Sequence, residues 1–430
     1  MLSFVEARQT ILDNVTHLGV EQVSILKSLG RVAGADVLAP RNLPSFDNSS
    51  MDGFAVRMED RDHFASLRVS GYIPAGEFTT ASVTPGTAIR IMTGAPIPQD
   101  CDAIVPFEDA EEFANTINIR IEVVAGQYIR RAGEDIRMGD IALAAGSPIR
   151  VPEISLLASL GRTSVAVYRK PRVAILATGD ELVEPGQPIS PGRLYNSNSV
   201  ALAAAVLEAG GSPLILGIAT DTRESLREKL CDGLQADVLI TVAGVSVGDR
   251  DMVREILREL NVRQVFWKID MKPGKATAFG MKDATPVFSL PGNPVSAMVT
   301  FEELVRPALL RIMGYKRVIK PGLKAILQHS HHKPAGKTQL LRVRLEARDG
   351  TLLAWSAGNQ DTRFLKTLLQ ADALAVLPSE RVSFSEGEEI AVHLLSNRAG
   401  ILESFPANAS TTGTPKCLSV IENSSEPCIP

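Results

Sequence analysis

Four predominantly apolar runs mark the middle of the chain, at residues 173–177, 214–218, 238–242 and 287–290. Each has strand length, and each ends in a polar or glycine-containing stretch. Residues 199–209, 222–230, 252–260 and 295–312 space their apolar positions for helices, and a further strand is expected near 265–269. Strands that are apolar throughout, alternating with amphipathic helices, imply parallel βαβ units covered on both faces. In such sheets ligands bind beyond the carboxyl ends of the strands.

The flanks have other rhythms. Residues 3–16 and 22–29 place Phe4, Ile11, Leu12 and Val15, then Val23, Leu26 and Leu29, at helical spacing, predicting two short helices. From 38 to 146 short apolar stretches alternate with Pro, Gly and Asp turns, as at 72–74, 84–86 and 133–135, which predicts a β-rich domain. A helix is expected at 152–160, with Pro152 in its first turn. Residues 321–393 read as a small all-β module, with strands at 340–345, 352–355, 373–377 and 389–393 and a short helix at 364–369. The stretch 401–430 is polar and aperiodic, the signature of a disordered tail.

Composition narrows the partner. Lys and Arg number 45 against 49 Asp and Glu, a net charge of −4, so no basic field exists for nucleic acid. Aromatics at 5% supply few stacking platforms for single strands. The four cysteines, Cys101, Cys231, Cys417 and Cys428, are far apart and form neither a disulfide framework nor a zinc motif. The N-terminal segment lacks a signal-peptide pattern, and the longest apolar runs, such as 200–207, are too short to span a bilayer. A cytoplasmic protein acting on a small molecule is expected, with no nucleic-acid or membrane partner.

Polar chemistry gathers where the apolar strands end. Asp180 and Glu181, then Asp221, then Asp249 and Asp251 follow three successive strands. Any one of them has an alternative as a turn former or N-cap, and Asp221 before Thr222 fits that description. Three such ends in one sheet point instead to a magnesium-assisted phosphoester site, because clustered carboxylates need a cation and hard oxygens suit magnesium. Gly244-Val-Ser-Val-Gly248, with Ser246 at its centre, offers backbone N–H groups to an anion. Lys268, Lys272 and Lys275 surround a Pro-Gly turn and can converge on an oxyanion, beside Pro291-Gly-Asn-Pro-Val-Ser296. Asp52-Gly53 and Thr93-Gly94 read as turns. Ala335-Gly-Lys-Thr338 lacks the leading glycine of a phosphate loop, and His329, His331 and His332 read as solvated residues of a polar loop.

Six motifs then occur in a fixed order: Phe46-Asp-Asn-Ser-Ser-Met-Asp-Gly-Phe-Ala-Val, Ile91-Met-Thr-Gly-Ala-Pro-Ile-Pro, Thr178-Gly-Asp-Glu-Leu, Gly244-Val-Ser-Val-Gly, Lys272-Pro-Gly-Lys and Pro291-Gly-Asn-Pro-Val-Ser. With these the chain resembles the molybdopterin molybdenumtransferase family, the MoeA and gephyrin E-domain group, over about residues 1–395. Ala243 and Ala276 stand where the family usually has glycine and proline, and 358–362 lacks the usual Ser/Gly-rich pattern.

The resemblance implies a multidomain α/β plus β protein. Residues 1–30 and 141–170 would form a split domain, 31–140 a β-rich insert, 171–318 an α/β domain like the molybdopterin-binding fold, 319–395 a β-barrel-like domain and 396–430 the tail. It implies insertion of molybdate into adenylylated molybdopterin with release of AMP, by a homodimer whose sites pair one subunit's α/β domain with the partner's insert. Carried over by motif position, Asp52, Thr93, Asp135, Glu181, Asp221, Asp251, Lys268 and Lys272 become catalytic, with magnesium on Glu181, Asp221 and Asp251. Thr178, Gly179, Asp180, Gly244, Ser246, Gly248, Asp249, Lys275, Pro291, Gly292, Asn293 and Ser296 become substrate- or oxyanion-binding. A molybdopterin adenylyltransferase and apo-molybdoenzymes are implied as further partners. The competing readings are a non-catalytic pterin-binding scaffold and a tungstate-preferring form of the same enzyme.

Overall fold

The computed structural model describes residues 1–243 and 252–395. The expected tail from 396 therefore lies outside the described residues. The chain divides into two compact units, one formed by Met1–Glu21 with the chain from Tyr168 onward, the other by Gln22–Val167.

The larger unit is built on a six-stranded sheet in the order Ser212–Ala219, Arg172–Thr178, Val238–Val242, Thr285–Leu290, Ala278–Lys282, Arg263–Phe266. The first four strands are parallel, as their unbroken apolar runs predict. The last two are added by antiparallel pairing. Two reversals restore the direction, so Arg263–Phe266 runs parallel to Thr285–Leu290 and ends at the same edge of the sheet.

One face is covered by helices Phe4–Asn14, Ser197–Glu208 and Arg306–Ile312, through a core that includes Phe4, Ile11, Val173, Leu202, Phe288 and Leu309. The other lies under Arg223–Gly233 and Met252–Glu259, through Leu176, Leu230, Leu239 and Ile256. Helix starts follow the capping chemistry: Ser3 and Glu6 form a capping box, and Asn196 and Thr222 accept from Ser199 N–H and Ser225 N–H. The helix expected at 295–312 runs as Pro294–Thr300, a π-turn at Phe301–Val305, and Arg306–Ile312.

The strand expected near 265–269 divides in two. Arg263–Phe266 stays in the α/β sheet, while Ile269–Lys272 pairs with Leu2–Ser3 on one side and with Thr338 and Gln339 on the other. The cause is a change of period. Ile269 and Met271 are buried while Asp270 is half-buried and Lys272 exposed, the alternation of a strand with one covered face. The second sheet continues through Thr338–Arg348, Thr351–Ser356, Leu323–Leu327, Glu389–Leu394 and Ala373–Leu377, and a pairing between Thr338–Arg348 and Ala373–Leu377 closes these five strands into a barrel.

The smaller unit holds a six-stranded sheet ordered Ala103–Pro106, Gly53–Val56, Thr87–Ile91, Leu67–Ile73, Thr116–Ile119, Ala110–Phe113, the β-rich region expected. The second expected helix, at 22–29, is absent. Strand Val20–Ser24 and the 3-10 turn Ile25–Ser28 replace it. Val20 and Val23 are β-branched and set among polar neighbours, and Val23 and Ile25 pack against a small core of Ala33, Leu143, Leu157 and Val167. Helix Val151–Ser159 forms as predicted. Among the described residues no helix is long and apolar enough to cross a membrane.

Candidate functional site

The first strand end is shaped by a glycine. Gly179 has φ +138°, and a Cβ there would lie 2.4 Å from Glu181 Oε2, so the Glu181 carboxylate folds back over a position only glycine leaves open. Thr178 is buried and its hydroxyl donates to the Val242 carbonyl at 3.4 Å, tying this strand to the next. Asp180 Oδ1 accepts from the Asp221 N–H at 3.0 Å, joining the ends of Arg172–Thr178 and Ser212–Ala219. The N-cap of the following helix is Thr222, not Asp221. Asp221 is exposed and held through its backbone N–H by Asp180, which answers the capping alternative.

Gly244, Ser246, Gly248, Asp249 and Asp251 lie outside the described residues. Just before them, Ala243 has φ +71°, a left-handed conformation that costs an alanine of the order of 1 kcal/mol more than a glycine. Its N–H donates to the Leu290 carbonyl at 3.1 Å. Its methyl faces the next strand end, where a Cβ on Gly292 would stand 3.2 Å away. Pro291 and Ser296 are buried, Asn293 is exposed at the N-cap of Pro294–Thr300, and Asn198 Nδ2 donates to the Gly292 carbonyl at 2.7 Å.

The lysine turn sits at the same edge of the sheet, because Trp267 follows the strand that two reversals returned to the parallel direction. Gly274 has φ +111°, and a Cβ there would meet Met271 Cε at 2.0 Å and Thr300 Oγ1 at 2.8 Å. The Thr277 hydroxyl donates to the Gly274 carbonyl at 2.7 Å, and the Ile269 N–H to the Lys275 carbonyl at 3.2 Å. The backbone is thus fixed by packing and by its own hydrogen bonds. Lys272 and Lys275 are exposed, Lys268 is half-buried, and none of the three makes an ion pair among the described residues. Three cations without carboxylate partners, on a rigid turn, form a surface that attracts an oxyanion.

In the smaller unit Asp52 and Thr93 come together. Asp52 Oδ1 accepts from the Thr93 N–H at 2.7 Å and from the Thr93 hydroxyl at 2.8 Å. These two donors, the backbone one first, hold the Asp52 carboxyl below the usual aspartate range. The next residue, Gly53, lies close against strand Ala103–Pro106, where a Cβ would stand 2.1 Å from the Val105 carbonyl oxygen. Asp135 is on a different turn, with an exposed side chain and its N–H donated to Leu43.

Among the described residues no group of three His, Cys, Asp or Glu side chains could hold a metal ion. Glu181 and Asp221 are both exposed carboxylates, the donor type that magnesium takes singly or in pairs together with substrate phosphates and retained waters. The histidines form no site: His331 faces Gln339 Oε1 at 3.3 Å, and His332 faces the Ser383 hydroxyl at 3.2 Å. Residues 335–337 form the loop expected, leading into a strand.

Sequence reading missed two buried charged groups. Arg342 is fully buried in the barrel and donates to the carbonyls of Asn359 and Asp361 at 3.0 and 3.3 Å. Glu303, on the π-turn, meets His393 Nδ1 at 2.9 Å and Arg8 at 3.4 Å. Only the three-dimensional pairing marks either group, and the sequence carries no local signal for them.

Comparison with known proteins agrees with the motif order. Residues 2–161 match the family described as MoeA N-terminal region (domain I and II), 174–311 the probable molybdopterin binding domain, and 324–395 the MoeA C-terminal region (domain IV). Molybdopterin molybdenumtransferase 2 of Mycobacterium tuberculosis is 37% identical over 86% of this chain and 94% of that protein. The molybdopterin molybdenumtransferase of Haemophilus influenzae is 34% identical over 93% of this chain and 100% of its own length. Among solved structures, a molybdopterin biosynthesis MoeA protein from Pyrococcus horikosii superposes with a TM-score of 0.80 at 32% identity, covering 92% of this chain and 99% of that one. With three matched regions in sequence, relatives aligned nearly end to end and the same fold, the chain belongs to the molybdopterin molybdenumtransferase family of enzymes.

Proposed function

We propose that the chain inserts molybdate into adenylylated molybdopterin, releasing AMP and giving molybdenum cofactor, and that it works as a magnesium-dependent homodimer. One observation carries the reading: an unpaired lysine turn and exposed strand-end carboxylates occupy the same edge of one sheet. A substrate that receives a dianion at one place and carries a phosphoanhydride at another needs both chemistries along one edge.

Lys272 and Lys275 hold the oxyanion, Lys268 adds charge at its rim, and the Pro291–Ser296 turn supplies neutral donors. Glu181 and Asp221, with Asp251, would hold magnesium, which would supply charge neutralisation for the phosphoanhydride. Asp180 keeps the two strand ends in register through its bond to the Asp221 N–H. Asp52, fixed by Thr93, serves the site of the partner subunit together with Asp135. The substrate is supplied by an adenylyl-transferring enzyme, a molybdopterin adenylyltransferase, and the product goes to apo-molybdoenzymes, all in the cytoplasm.

The test is AMP release from adenylylated molybdopterin by the purified chain with magnesium, with molybdate, tungstate or neither, followed by reconstitution of an apo-molybdoenzyme in the same tube. Molybdate-dependent AMP release with reconstitution is expected. Binding without release would leave the pterin-binding scaffold as the reading, and release with tungstate alone would change the metal.

A further inference from the structure

A groove of about 610 Å³ lies between helix Met252–Glu259 and strand Arg263–Phe266, and none of the chemistry above uses it. Its volume is that of a site for an organic ligand and far exceeds an ion. Ala278 belongs to its apolar floor, and Arg254, Glu255, Gln264 and Trp267 stand in its walls. The Arg254 guanidinium lies 4.5 Å from the Trp267 ring centroid, and its Nε donates to Gln264 Oε1 at 2.8 Å. This pairing makes a flat cationic wall, on which flat heterocycles stack. Trp267 is joined directly to Lys268, so the groove begins where the lysine turn begins.

We propose that this groove is the subsite for the pterin ring of the substrate, an inference that rests on the transferase reading above. The substrate has two flat ring systems, a pterin and an adenine, on either side of a phosphoanhydride. Molybdenum joins the dithiolene carried by the pterin half. The oxyanion is held at Lys268, Lys272 and Lys275, so the ring system beside those lysines is the pterin. Adenosine then extends toward Asp180 and Asp221, which follow the strands four and five places from Arg263–Phe266 in the sheet. Hydrogen-bonding pattern favours the same choice. A pterin presents an N3–H and a 2-amino group side by side, two donors that match one carboxylate, whereas adenine sets a ring acceptor beside its amino group. Glu255 is the carboxylate in the wall, and its contact with Arg223 at 3.3 Å involves one oxygen only.

The experiment uses the full chain carrying Trp355→Phe, which leaves Trp267 as the sole indole, since the sequence has two tryptophans. Trp267 emission is followed on titration with 6-hydroxymethylpterin and, separately, with AMP. Saturable quenching by the pterin is expected, without competition from AMP, and with affinity at least tenfold weaker in Ala278→Leu and in the exposed-site variant Glu255→Gln. Quenching by AMP that competes with the pterin would make this the adenine subsite and overturn the proposal, as would unchanged pterin affinity in Glu255→Gln. AMP release is measured on the same samples. A wild-type protein that quenches with pterin but never releases AMP with molybdate sinks the transferase reading and leaves the groove. Normal release with an unchanged KM in Glu255→Gln sinks the groove and leaves the transferase.

Discussion

Asp52 accepts two hydrogen bonds on one oxygen from a single residue, and this fixes both its direction and its charge. Its folded-state pKa lies below the ordinary aspartate value of about 3.9, so the stabilisation is complete above that value and is lost as pH falls through the depressed one. Thr93→Val removes the hydroxyl donor and should raise the Asp52 pKa toward the ordinary value, read by NMR titration of the carboxyl carbon. AMP release should fall with it. A second residue-scale prediction concerns Ala243 and Gly292, where a methyl on a left-handed residue faces a glycine of the next strand end. Ala243→Gly should stabilise the protein by up to about 1 kcal/mol. Gly292→Ala should destabilise it by about 1–3 kcal/mol through a crowded methyl pair. The double variant should lose less than the singles predict, and a double-mutant cycle in urea measures the difference.

At the scale of elements, the π-turn Phe301–Val305 places Glu303 between Arg8 of the first helix and His393 of the last barrel strand. Burial pushes the Arg8 guanidinium pKa down, and Glu303 opposes that shift. Glu303→Ala strands a buried cation and should cost about 3–5 kcal/mol, seen as a lower urea midpoint. The parallel strands and their helices were legible because runs such as 173–177 are apolar at every position, a pattern that only a doubly covered sheet requires. The strand-end carboxylates were legible for the same reason, since they follow directly on those runs. Residues 22–29 misled because Val23, Leu26 and Leu29 satisfy helical spacing by accident in a stretch too short to average it out. The strand Ala278–Lys282 was missed, and Ile269–Lys272 was joined to the wrong sheet, because pairing partners lie far along the chain. Glu303 and His393 are separated by a whole barrel in sequence, so no local pattern marks them as a pair.

For the whole molecule, the proposed homodimer makes a prediction that no single chain can satisfy. If Asp52 of one subunit serves the lysine turn of the other, Asp52→Asn and Lys272→Ala proteins are each inactive alone but complement when unfolded and refolded together. Random pairing makes half of the dimers mixed, and each mixed dimer restores one of its two sites, so about a quarter of wild-type AMP release should return. Zero recovery from a mixture that forms dimers would place both residues in one subunit's own site.

The path of the chain from one sheet to the other has a temporal consequence. The strand Ile269–Lys272 takes its hydrogen bonds from Leu2–Ser3, made first, and from Thr338 and Gln339, which leave the ribosome after the whole α/β sheet has been synthesised. Domains fold as units during synthesis, N-terminal parts first, and long-range pairings come late. The lysine turn is therefore anchored on one side only until the barrel begins to form. A nascent chain with its carboxylates already in place would hold no oxyanion, and competence would arrive only with the barrel strand that carries Thr338 and Gln339.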